Sequence, residues 1–185
     1  MKVQLLLTML SSLLASAHGC HAAPREPASA AASLAHTRTE FHFVANAPWE
    51  ETAPLFGANG ERKWAPDWDP QFLYPKPASD QPGMVFRVEH PHHASIWVNT
   101  AFDLAAGHIQ YAYVLNNAMA TLIDIRLSRE DGDKTGVAVV YERTALEPEA
   151  NEHVLHYTDG DAKARKEWEE AINGYLAKMR SQPSR

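Results

Sequence analysis

The side chains able to do chemistry in this sequence are few and mostly scattered. His90, His92 and His93 share one turn, and His153 and His156 stand three apart, spacings at which imidazoles can meet a zinc or copper ion. No carboxylate or cysteine completes either set at a metal-specific spacing, so no metal site is expected. Cys20 is the only cysteine, which leaves no internal disulfide, no CxxC redox pair and no thiol nucleophile near a core. Gly57-Ala58-Asn59-Gly60 lacks the Lys-Ser/Thr of a phosphate cradle, and neither a Gly-x-Ser-x-Gly elbow nor a His-Glu-x-x-His helix occurs. The remaining candidates are aromatic. Trp64 and Trp68, four apart and bracketed by Pro66 and Pro70, either offer flat stacking surfaces to a ligand or plug the open end of a core. Trp97, Tyr111 and Tyr113 sit where period-two burial explains them as well as ligand contact does. Glu61 is an acid-base candidate or a brace for the tryptophan loop. Arg87, Asp124 and Arg126 alternate with apolar neighbours and are expected on a solvated face.

The elements that must position these residues follow from hydrophobic period. Thr39 to Ala45 alternates and predicts a strand, and Trp49 to Phe56 predicts a short helix. Glu61 to Pro82 holds Pro66, Pro70, Pro75, Pro77 and Pro82, and is expected to be a structured loop with at most a helical turn. Strands are expected near Met84 to His90, Ile96 to Leu104, His108 to Leu115, Ala120 to Ser128 and Thr135 to Ala145. Their connections are too short for parallel crossovers, so they pair as an antiparallel meander. Trp97 is expected to share a face with Asn99 and Ala101, and Tyr111 and Tyr113 with Ile109. Glu147 to Gly160 reads as irregular, with a possible turn near Glu152 to Tyr157. Asp161 then caps a long helix whose apolar stripe runs through Ala164, Trp168, Ala171, Ile172, Tyr175, Leu176 and Met179. Layer logic makes this an α+β fold, a curved antiparallel sheet wrapped around the C-terminal helix in the helix-grip manner.

The chain has 185 residues, 45% hydrophobic and 22% charged, which fits one folded domain with an appendage. Its net charge is -6 and its 17 Lys and Arg are dispersed, so no nucleic-acid partner is expected. Lys2, the apolar stretch Val3 to Leu14 and Ala15-Ser16-Ala17 read as a signal peptide, residues 1–22, cleaved after Ala17 or Ala22. An exported protein, periplasmic or secreted, is the expectation; lipid anchoring through Cys20 is the alternative. No later segment is apolar enough to span a membrane. Residues 23–36 form an Ala/Pro/Ser linker, 37–180 the domain and 181–185 a polar tail.

The run Gly60-Glu61-Arg62-Lys63-Trp64-Ala65-Pro66-Asp67-Trp68-Asp69-Pro70, with Phe72-Leu73-Tyr74-Pro75 and Gly83-Met84-Val85-Phe86, resembles bacterial members of the SRPBCC superfamily, the START, Bet v 1 and polyketide-cyclase-like group. Ile96-Trp97-Val98, Tyr111 to Val114, Thr135 to Tyr141 and Thr144-Ala145-Leu146 agree with it, over roughly Arg38 to Met179. The resemblance implies a deep apolar cavity between sheet and helix, and neither a cofactor nor a fixed catalytic set. Three roles follow from it: binding or transport of a hydrophobic small molecule or lipid, a polyketide cyclase or dehydratase, or a chaperone-activator-like interaction module. An exported cyclase would be parted from cytoplasmic carrier-bound intermediates, which favours the first.

Overall fold

The computed structural model describes residues 33–89, 94–115 and 118–182, so the expected signal peptide, most of the linker, and the His90 to His93 and Asn116-Asn117 turns lie outside the described residues. One antiparallel sheet contains β1 (His36–Ala45), β2 (Gln71–Tyr74), β3 (Val85–Glu89), β4 (Ala94–Asp103), β5 (His108–Leu115), β6 (Met119–Glu130) and β7 (Lys134–Ala145). Its order is β1-β7-β6-β5-β4-β3-β2, which makes β1 and β2 the edges. Between β1 and β2 come helix α1 (Trp49–Thr52), a 3-10 turn at Ala53–Phe56 and helix α2 (Ala58–Glu61); a 3-10 turn at Pro148–Ala150 leads into helix α3 (Asn151–Ser181).

Alternation along each strand sends one residue set to the covered face of the curved sheet, and the register aligns these sets in rows across the strands. One row is Thr39, Tyr141, Ile123, Tyr111 and Asn99. The adjacent row is Thr37, Arg143, Thr121, Tyr113, Trp97, Phe86 and Phe72. A third holds Phe41, Val139, Ile125, Ile109 and Phe102. The face expected for β4 holds only as far as Asn99. A bulge between Asn99 and Ala101 sets Ala101 opposite Gln110 and Phe102 opposite Ile109, so Phe102, not Ala101, returns to the covered side.

Two expectations about helix and loop are corrected. Helix α3 starts at Asn151 rather than at Asp161, and Asp161 is no cap: it is buried in mid-helix, held by Arg143 of β7 and by the Thr39 hydroxyl. The polar run ending in Gly160 hides this first portion of the helix, which is held by contacts outside itself. Val154 packs with Leu115, Met119, Ala145 and Ala150 in a small second core, and Asn151 accepts from the Ala35 N–H at 2.7 Å. At its other end Met179 lies 50% exposed, beyond the buried stripe that ends at Leu176. The proline-rich loop also contains more order than expected, since Gln71–Tyr74 adds to β3 as an edge strand, with Pro70 and Pro75 outside its ends.

The main core joins Phe41, Phe43, Leu55, Phe56, Met84, Phe86, Ile109, Ile125, Val139, Ile172 and Leu176. No helix among the described residues is long and apolar enough to cross a membrane.

Candidate functional site

An interior cavity of about 270 Å³ lies between the covered face of the sheet, the loop after α2 and the C-terminal half of α3. Each wall comes from a different element. The loop supplies Trp64, Ala65, Pro66 and Trp68; the sheet supplies Phe86, Trp97, Tyr111, Ile123, Ile125 and Tyr141; α3 supplies Glu167, Trp168 and Ala171, and α2 ends on Glu61. A larger depression of about 520 Å³ over His42, Arg126, Glu130, Arg165 and Glu169 is wider open and charged.

The tryptophan loop is fixed by its own polar atoms. The Trp64 indole N–H donates to the Leu55 carbonyl at 2.8 Å, and that of Trp68 to the Ala58 carbonyl at 2.9 Å. Arg62 donates to the Pro70 carbonyl at 2.5 Å and pairs with Asp69 at 2.9 Å, closing the loop at its base. Glycine makes the packing beneath it possible: a Cβ on Gly60 would overlap the Pro54 carbonyl, and one on Gly57 would collide with the Asp80 carboxylate. With their N–H groups committed to backbone, the indoles turn apolar edges and faces inward. Trp64 meets Trp168 edge-on at 5.3 Å, and Trp68 meets Trp97 edge-on at 5.4 Å. The Trp97 N–H donates to Ser95 at 2.7 Å, and the Tyr111 hydroxyl donates to the Phe56 carbonyl at 2.8 Å.

Five of the residues singled out from sequence, Glu61, Trp64, Trp68, Trp97 and Tyr111, are therefore brought together around one space. Tyr113 is not among the lining residues; it stacks on Trp97 with ring centroids 4.1 Å apart and supports that indole from the neighbouring strand. Arg87 and Arg126 are solvated as expected, and Asp124 joins His108, Gln110 and Arg126 in a polar cluster away from the cavity. Sequence reasoning missed Tyr141, Trp168, Phe86 and Asp80. Alternation on β7 and the apolar stripe of α3 carried a signal for Tyr141 and Trp168, but as core. Asp80 had none, because only the tertiary fold carries it to the Gly57 turn.

The electrostatics are one-sided. Glu61 is 9% exposed and its carboxyl has no hydrogen-bond partner among the described residues. Burial first, and the Asp80 carboxyl second, hold it well above the ordinary glutamate range. Asp80 is itself raised by burial, an effect opposed by the Asn59 and Ala58 backbone N–H groups. Burial and these two carboxyls push the Tyr111 hydroxyl up as well. The Tyr141 hydroxyl, likewise raised by burial, has no hydrogen-bond partner among the described residues. No Lys, Arg or His among the described residues lines the cavity. Among the described residues no cluster of His, Cys, Asp or Glu could hold a metal, and the His90 to His93 turn lies outside them.

No family model and no curated protein sequence matches the chain. Solved structures do. Ara h 8.0201 is similar with a TM-score of 0.58 at 16% identity over 78% of this chain and 99% of that one. Norcoclaurine synthase from Thalictrum flavum, in complex with dopamine and hydroxybenzaldehyde, reaches 0.60 at 12% identity over 81% of this chain and 91% of its own. An uncharacterized protein from Rhizobium leguminosarum reaches 0.57 at 16% identity, over 79% and 97%. The chain has the Bet v 1-like helix-grip fold. At these identities the likeness is one of fold, so the chemistry of the cavity has to be read from its own side chains.

Proposed function

We propose that this helix-grip protein is an exported carrier or sensor that holds a small, flat, mainly apolar molecule in the cell envelope without converting it. The observation that carries the reading is the cavity. The indole N–H groups of Trp64, Trp68 and Trp97 and the Tyr111 hydroxyl are already satisfied by protein, so these walls present apolar surfaces suited to stacking. The volume of about 270 Å³ is just below the range of roughly 300–1,000 Å³ usual for drug-sized ligands, which suits one or two fused rings and excludes a two-chain lipid. Norcoclaurine synthase, of the same fold, is solved with two small aromatic molecules, which supports a ligand of that size here. Export rests on the n-region, apolar run and Ala15-Ser16-Ala17 of the leader.

Native mass spectrometry of the purified protein is expected to show a co-purifying small molecule. Titration with flat aromatics is expected to change tryptophan fluorescence, with weaker binding in Trp64→Ala and Trp68→Ala. Unchanged binding in both variants overturns the reading. One observation favours a second reading: burial and the Asp80 carboxyl raise the Glu61 carboxyl well above the ordinary glutamate range in a mainly apolar cavity, the direction a general acid needs for a cyclase- or dehydratase-type proton transfer. Turnover of a bound ligand by the purified protein decides for it.

A further inference from the structure

The interior contains two buried acids, Asp161 and Glu61, the latter beside the half-buried Asp80, and they are treated differently. Asp161 has a full complement: two contacts from the Arg143 guanidinium and one from Thr39, with Arg143 lying between the Tyr141 and Tyr157 rings. Glu61 and Asp80 have none of this. Among the described residues Asp80 meets only backbone N–H groups, Glu61 has no hydrogen-bond partner and only the Asp80 carboxyl for an electrostatic neighbour, and no positive side chain acts on either. Buried carboxyl groups without a counter-ion are costly, and elsewhere in this chain the cost is met by a cation. In front of Glu61 stand Trp64, Trp68, Trp97 and Trp168, with Tyr111 and Tyr141, whose ring faces carry the negative end of the aromatic quadrupole.

From this arrangement we propose that the cavity takes an organic cation, an aromatic amine with a short arm, whose rings lie among the tryptophans and whose ammonium group meets the Glu61 carboxyl. The inference rests on the ligand-holding reading above and names its ligand class. The proton balance is simple. A free amine accepts the Glu61 proton on entering, or an ammonium ion enters and Glu61 releases its proton to solvent; both end as an ammonium–carboxylate pair. The other titratable groups at the cavity are Asp80, Tyr111, Tyr141 and, from α3, Glu167, and none of them opposes a positive charge. Carboxylate ligands meet the reverse situation, acidic groups and, among the described residues, no cation in the lining.

The test uses three probes sharing one ring system: 2-naphthylmethylamine, 2-naphthalenemethanol and 2-naphthoate, titrated calorimetrically into the full protein. The amine is expected to bind about tenfold or more tighter than the alcohol, the scale of a desolvated cation–aromatic contact, and the carboxylate weakest. Glu61→Gln is expected to bring the amine down to the alcohol's affinity while the alcohol is little changed; Asp80→Asn, which leaves Glu61 in place, is expected to weaken the amine selectively but less. Equal binding of amine and alcohol, or equal losses for both in Glu61→Gln, overturns the cation assignment and leaves the apolar container standing. Failure of all three probes overturns both.

Discussion

Burial disfavours the Glu61 anion and the Asp80 carboxyl adds to the effect, so its pKa is raised well above the ordinary glutamate value. In the unfolded chain the same group ionises near pH 4.3, so above that pH the native state binds a proton that the unfolded state has lost. Stability therefore falls as pH rises, by up to about 1.4 kcal/mol per unit, until Glu61 ionises in the folded protein. Glu61→Gln is expected to be more stable than the parent at neutral pH and to show a flatter profile, with the Asp80 contribution of the same sign remaining. Urea unfolding between pH 4.5 and 7.5 measures this; parallel profiles for parent and variant would show that Glu61 is solvated. Also at this scale, Gly60→Ala is expected to displace α2 against the Pro54 carbonyl and to weaken ligand binding, read by the same fluorescence titration.

Helix α3 is tied to the sheet in two chemically distinct ways. Trp168 packs at 5.9 Å from Phe41, 6.4 Å from Phe56 and 5.3 Å from Trp64, an aromatic cluster that seats the helix over the cavity. Because Trp168 is only partly buried, Trp168→Ala is expected to cost about 2–4 kcal/mol, somewhat below a fully buried tryptophan. Two turns after Val154 of the small second core, the Arg143–Asp161 pair fixes the same helix by charge. Arg143→Met or Asp161→Leu alone is expected to cost about 3–5 kcal/mol, by leaving the other charge buried and unpaired, and the double variant less than either. A denaturation cycle on the parent, the singles and the double checks this; additive losses would show no coupling. These same elements explain what sequence reading could reach. The strands, the meander and the later part of α3 carry periodic signals of their own, and Trp64 and Trp68 stand out locally by residue type and proline spacing. The first portion of α3 does not, because it is held by Arg143, Val154 packing and Ala35 rather than by a local pattern. The β4 bulge is equally silent, since nothing in Asn99-Thr100-Ala101 marks the extra residue. Asp80 and Tyr141 enter the site only through tertiary placement.

For the molecule as a whole, the proposed export predicts a mature chain beginning after Ala17 or after Ala22. Intact-mass analysis of envelope-fraction protein checks it: retention of Met1 in cytoplasmic protein would remove the export proposal, and a diacylglyceryl group on Cys20 would replace it with lipid anchoring. The pairing of β1 with β7 bears on the same journey. The first strand of the domain hydrogen-bonds along its whole length to the last, while the chain between them starts at the opposite edge and works back strand by strand. During synthesis β1 therefore waits without its ladder partner until Lys134–Ala145 has emerged, and the long sequence separation of these contacts makes closure slow. A nascent chain of this topology cannot close its sheet until β7 has been made, and under the proposed export a translocation channel that accepts only unfolded polypeptide would have that interval in which to engage it.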